Sequence, residues 1–136
     1  MAIDLKEYIA SQLTAMLDDY VRDIDALPED ALGNGAVGTA RVPFDFTYEV
    51  AYVNRRLAAR LRGEDPGPST LSGWAVAPEH LRSKEACLQD IKSSTQEVID
   101  AWRILPDDQL GEVKGSMPAF ELALFAVKHM LYHDPN

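Results

Sequence analysis

The chain has 136 residues, the size of one domain, and we expect residues 1–136 to form a single unit. Its 22 acidic and 13 basic side chains give a formal net charge of −9, which argues against nucleic-acid binding. No apolar run reaches the roughly 20 residues that cross a bilayer, and the N-terminus lacks a secretory-signal pattern. The single cysteine, Cys87, suits a reducing compartment, so we expect a cytoplasmic protein without membrane association.

Two helices are predicted in the first half of the chain. The first spans about 4–26, where apolar residues recur every three or four positions and Asp4 can cap the start. The second spans about 45–62, begins after Pro43 and ends at Gly63. The arginines near its end, between Arg55 and Arg62, are predicted to form a solvated helix surface.

Two further helices are predicted in the second half. One spans about 78–105 and ends at Pro106; the other starts near Ser116 and runs to His133, where Asp134-Pro135 stops it. The last helix is apolar almost all round over 120–127, which predicts burial on most of its sides. No segment shows convincing strand alternation. The sequence therefore predicts an all-α fold, a four-helix bundle with long loops after helices one and two.

The end of the last helix carries two of the three histidines. His129 and His133 are four residues apart, and this spacing stacks both imidazoles on one face of an α-helix. Two such rings can each direct a nitrogen at one divalent metal, although two histidines alone hold a metal weakly. The alternative is that both are surface or capping groups, because cations suit a helix C-terminus.

Two polar residues of the second helix lie at or beside its apolar stripe. Glu49 borders the stripe, and its carboxylate is costly to desolvate unless it is paired or bound to a cation. Arg56, Arg60 or solvent could satisfy it instead. Asn54 falls on the apolar face itself, where a buried amide needs hydrogen-bond partners, either structural ones or a substrate.

The remaining reactive side chains are given structural roles. His80 lies near the predicted start of the third helix, where a surface position is expected. Cys87 shares its helix face with no histidine, so we expect a buried small side chain rather than a nucleophile.

The order of helices, the apolar last helix and its ending from His129 to His133 resemble the DinB-like superfamily. That family consists of metal-binding four-helix bundles and includes thiol-dependent transferases and isomerases. Its usual signature is a histidine on helix two, followed by His-xxx-His near the end of the last helix. The resemblance spans essentially the whole chain, but its specific part is only a few residues.

The resemblance implies a site of three ligands. His129 and His133 match the closing pair, and the family's helix-two histidine falls on Glu49, about six residues after Pro43. Two histidines and one carboxylate bind zinc, iron or nickel and leave positions open for water or substrate. Tyr52, Asn54 and Tyr132 lie within about a turn of the ligands and are the candidates for orienting a substrate.

Three functions remain open at this point. The first is a metal-dependent enzyme, a hydrolase or a transferase that uses a low-molecular-weight thiol. The second is a non-catalytic bundle that has kept the family scaffold without its metal and acts through homodimerisation or partner binding. The third is a carrier that holds a ligand in the bundle interior. The changed first ligand, Glu49, favours the second, while the histidine pair favours the first.

Overall fold

A computed structural model describes residues 3–34, 41–71 and 74–135. This part of the chain is mostly helical, with a single small sheet. Its α-helices are α1 (Leu5–Ala26), α2 (Glu29–Leu32), α3 (Pro43–Leu61), α4 (Lys84–Arg103) and α5 (Ala119–His133). Short 3-10 helices occupy Glu79–Leu81 and Asp107–Gln109, and strands β1 (Val113–Lys114) and β2 (Met117–Pro118) pair antiparallel. The helical class is as predicted, and the hairpin is an addition that the sequence pattern did not indicate.

The four long helices pack around one apolar core. α4 lies against α3 and α1, and α5 also contacts both α1 and α3. Trp102 and Tyr20 are the largest of the fully buried side chains. The indole Nε1 of Trp102 donates a hydrogen bond to the Lys6 carbonyl at 2.8 Å, which ties the end of α4 to the start of α1. None of the described helices is both long enough and apolar enough to span a bilayer.

The predicted ends of α1 and α3 are confirmed. The Asp4 side chain accepts a hydrogen bond from the Glu7 backbone N–H at 3.2 Å and so caps α1. Gly63 follows α3 with a φ of 81°, a left-handed conformation that glycine adopts without steric cost. The Glu64 N–H bonds to the Ala59 carbonyl and the Gly63 N–H to the Arg60 carbonyl, the pattern of a Schellman cap.

The predicted start of the third long helix at residue 78 is wrong. Residues 79–81 form a separate 3-10 helix, and α4 begins only at Lys84, after Ser83. The Ser83 hydroxyl accepts the Ala86 N–H at 3.1 Å, so this serine is the N-cap. The periodic apolar pattern continued through the break and concealed it.

The start and the burial of α5 also differ from the prediction. Ser116 lies in the turn of the β1–β2 hairpin, and α5 begins at Ala119. The helix is apolar almost all round over 120–127, yet large apolar side chains along it face solvent: Phe125 is 41%, Leu131 65% and Tyr132 82% exposed. Only one face of α5, centred on Leu122 and Met130, enters the core.

The two predicted connections are partly structured. The connection after α1 contains the short helix α2, and its residues 35–40 lie outside the described part. The connection after α3 is fixed to that helix by Asp45. The Asp45 carboxylate accepts the Ala77 N–H at 2.9 Å and the Arg82 guanidinium at 2.7 Å. Residues 75–82 are therefore held against the first turn of α3.

Candidate metal centre

Glu49 on α3 meets His129 and His133 on α5. The Nε2 atoms of His129 and His133 lie 3.7 and 3.3 Å from the same Glu49 oxygen, Oε2. One ligand atom from each of the three side chains lies within 4.8 Å of the others. The structure thus brings together the three residues that the sequence analysis proposed as ligands. That they bind a metal stays a prediction.

The histidine rings are oriented by contacts with aromatic neighbours. The His133 ring stacks on Phe46 of α3, with ring centroids 5.6 Å apart and an interplanar angle of 19°. Phe125, one turn before His129, lies 5.6 Å from that imidazole. The two imidazoles meet edge to face at 4.8 Å. These contacts, together with the one-turn spacing on α5, point both Nε2 atoms at α3.

The three side chains are largely shielded, but each keeps some exposed surface. Their exposed fractions are 14% for His129, 12% for His133 and 23% for Glu49. Burial lowers the pKa of both histidines below the ordinary value, and His133 lowers that of His129 further. Glu49 opposes the shift in both cases. The imidazoles are therefore neutral at pH 7, which is the form that ligates metals.

Sequence reasoning missed the fourth member of this group, Arg41. Its Nη1 donates to Glu49 Oε1 at 3.1 Å. The sequence analysis considered Arg56 and Arg60 as partners for Glu49, but Arg56 donates to the Pro66 carbonyl and Arg60 lies against Gly115. Arg41 stands before α3 in a segment without periodicity, so no pattern connected it to Glu49. We call these four residues the charged cluster: Arg41, Glu49, His129 and His133.

The two predicted substrate tyrosines lie at the surface. Tyr132 is 82% exposed, and its ring meets that of His133 edge to face at 4.9 Å, so it lies beside the charged cluster. The Tyr52 hydroxyl accepts the Thr70 N–H at 2.9 Å and lies 3.1 Å from the Thr70 hydroxyl. Tyr52 is thus engaged with the connection after α3. Their substrate roles remain predictions.

Asn54 is fully buried and directed at α4. Its Nδ2 donates to the Thr95 hydroxyl at 3.2 Å and to the Ser94 hydroxyl at 3.4 Å. All three side chains have essentially no exposed surface, and the Thr95 hydroxyl also contacts the Met130 sulfur at 3.5 Å. This arrangement matches the structural alternative for Asn54, and a substrate contact would require the amide to become exposed. We call Asn54, Ser94 and Thr95 the neutral cluster.

The structural roles given to the other residues agree with their positions. Cys87 is buried, and burial raises the pKa of its thiol to about 11, so it is not a ready nucleophile. His80 is exposed in the 3-10 helix before α4. The arginines late in α3 and just after its end form ion pairs at the surface: Arg55 pairs with Asp90 and Glu97, and Arg62 with Glu64.

The charged cluster offers two imidazole nitrogens and one carboxylate oxygen that converge from two helices. Lone pairs that converge in this way repel one another unless a proton or a cation lies between them. No family model, curated protein or solved structure matches this chain.

Proposed function

We propose that this chain is a DinB-like four-helix-bundle protein that binds a divalent metal ion through Glu49, His129 and His133. The observation that carries the proposal is the convergence of three ligand atoms within 4.8 Å. The helix order supports the DinB-like assignment, because α3 and α5 correspond to the two helices that carry the ligands in that family.

The donor set fits a transition metal better than calcium or magnesium. Imidazole nitrogens suit zinc, iron and nickel, whereas calcium and magnesium take oxygen ligands. Neutral, largely buried imidazoles that already face Glu49 need little rearrangement to ligate, and Glu49 offers the single negative charge. One feature differs from the usual surroundings of a metal-ligating histidine: His129 Nδ1 is buried without a hydrogen-bond partner among the described residues. Ligating histidines usually donate that N–H to a neighbour.

The chemistry of such a centre follows from its incomplete coordination. Glu49, His129 and His133 would hold a divalent metal through three protein atoms and would leave positions free, where the metal would supply the polarisation of water or the binding of a low-molecular-weight thiolate. The protein's own contribution is to pack Phe46 and Phe125 against the two imidazoles, while the exposed Tyr132 ring contacts His133. The proposed activity is accordingly thiol transfer or hydrolysis in the cytoplasm.

Metal content tests the proposal directly. Protein purified without chelator or metal-affinity resin is analysed for metals, before and after addition of nickel, zinc and iron. We expect close to one equivalent in the wild type and its loss in Glu49→Ala, His129→Ala and His133→Ala. His80→Ala removes a histidine outside the site and is the matched control. Full metal content in all three folded site variants would refute the proposal.

The exposed apolar side of α5 favours a second candidate function. Phe125, Leu131 and Tyr132 together offer surface that a second copy of the chain could cover, as in a non-catalytic homodimer. Sedimentation at several concentrations, with and without chelator, separates the two candidates. A dimer that is indifferent to chelator and contains no metal supports the non-catalytic function.

A further inference from the structure

Arg41 is placed by contacts on two sides of its guanidinium group. Nη1 donates to Glu49 Oε1 at 3.1 Å, and Nη2 donates to the Ala75 carbonyl at 3.3 Å. The guanidinium carbon lies 5.8 Å from the centre of the Trp74 ring. The side chain is only 16% exposed. A planar group held at both terminal nitrogens has little freedom to turn away from the carboxylate.

The loop that holds Arg41 is itself attached to α3. Asp45 bonds both to the Ala77 N–H and to Arg82, and the Arg82 guanidinium also donates to the Ala77 carbonyl at 3.3 Å. These bonds fix the backbone two residues from Ala75. Arg41 Nε is buried without a partner among the described residues. The hydrogen bonds of both terminal nitrogens offset the free-energy cost of this unpaired donor.

The two oxygens of Glu49 therefore have different surroundings. Oε1 accepts a charge-assisted hydrogen bond from Arg41, whereas Oε2 faces the Nε2 atoms of His129 and His133. A carboxylate oxygen bound by a guanidinium group is a weaker ligand, because the same lone pairs cannot serve both cations fully. Carboxylates otherwise bind metals through one oxygen or through both.

We infer that Arg41 is a positioning residue that restricts Glu49 to donating one oxygen, Oε2, to a metal ion. The consequence is that a metal ion would be held by three protein atoms rather than four, with a ligand from solution completing a four-coordinate site. This inference rests on the proposed metal site. A solely structural ion pair would affect stability when it is removed, but it would leave the coordination of the metal unchanged.

Cobalt(II) in place of the native metal reports this coordination through its visible absorption. Visible bands of four-coordinate cobalt are the most intense, those of five-coordinate cobalt are intermediate, and those of six-coordinate cobalt are weak because an octahedral site has an inversion centre. The variant Arg41→Met keeps an apolar stem against Trp74 and removes every donor. Arg41→Lys keeps one charged donor, and Arg22→Ala removes an exposed arginine that pairs with Asp19 at 2.9 Å.

We expect Arg41→Met, saturated with cobalt, to absorb clearly less visible light per bound ion than the wild type, because Glu49 can then bind through both oxygens and raise the coordination number by one. Arg41→Lys should restore the wild-type spectrum, and Arg22→Ala should not change it. Arg41→Ala gives the same test if the methionine variant does not fold. Identical spectra in the wild type and the folded Arg41 variants overturn the inference but leave the metal site standing. A wild type that binds no cobalt overturns both.

Discussion

The charged and neutral clusters both lie between α3 and a neighbouring helix, but they satisfy their polar atoms differently. In the neutral cluster, Asn54 donates to two hydroxyls and no side chain is exposed. In the charged cluster, three ligand atoms converge and part of Glu49 reaches solvent. The neutral cluster is held by hydrogen bonds among its own side chains, with Asn54 Oδ1 left without a partner among the described residues, whereas the charged cluster brings three potential ligand atoms close together. We therefore expect buried polar groups to stabilise the fold in the neutral cluster and to provide a binding site in the charged cluster.

The largest expected effect concerns the charged cluster and the divalent metal ion proposed to bind there. A ligand that binds only the folded state at a thousand times its dissociation constant adds about 4 kcal/mol to the free energy of unfolding. We expect urea unfolding to show this gain in the wild type with zinc or nickel, and Glu49→Gln to abolish it. Glu97→Gln, which removes a carboxylate that pairs with Arg55 at 3.1 Å, should keep the gain. An equal gain in both variants would show that the metal binds elsewhere.

The second-largest effect concerns pH and the buried side chains of Tyr20 and Cys87. The Tyr20 hydroxyl lies 2.7 Å from the hydroxyl of buried Thr47. Burial raises the pKa of Cys87 from 9.0 to about 11 and raises that of Tyr20 as well. The unfolded chain therefore loses these protons first as the pH rises. The contribution of the protonated thiol to the free energy of unfolding is fully present below pH 9. It falls by roughly 2–3 kcal/mol by pH 11 through Cys87 alone.

Unfolding followed by circular dichroism at pH 8, 9, 10 and 11 measures this decline. Cys87→Ala removes the thiol and should give a shallower curve, with the remainder due to Tyr20. Equal slopes in the two proteins would mean that the thiol is not protected from ionisation by the fold.

The smallest effect concerns the neutral cluster. Asn54→Ala removes the donor to Ser94 and Thr95 and should lower the free energy of unfolding by about 2 kcal/mol. Metal affinity should be unchanged, because Asn54 contributes packing and hydrogen bonds only. Denaturant unfolding and metal titration of the same variant check both halves. A variant that is fully stable but has lost its metal would reverse the roles given to the two clusters.

Helical spacing made much of the molecule predictable. The four-residue interval between His129 and His133 places both rings on one face, and Asp4 and Gly63 mark helix ends by their local chemistry. Each of these features depends on residues that are close in sequence. The juxtaposition of Glu49 with the histidine pair came instead from the family resemblance, because spacing within one helix cannot identify a partner on another.

The features that sequence reasoning missed depend on long-range contacts. Arg41 reaches Glu49 and the Ala75 carbonyl, which is 34 residues away, from a segment without periodicity. The break before α4 was concealed by apolar residues that continue the helical pattern. The exposed side of α5 was unpredictable for another reason: hydrophobicity all round a helix does not tell which faces find partners.

The protein's two tryptophans occupy opposite environments. Trp102 is fully buried with its indole hydrogen-bonded to the Lys6 carbonyl, whereas Trp74 is 62% exposed beneath the Arg41 guanidinium. Their fluorescence therefore separates into a blue component from the interior and a red, quencher-accessible component next to the charged cluster. The chain carries an intrinsic optical label at its candidate site and an internal reference in its core.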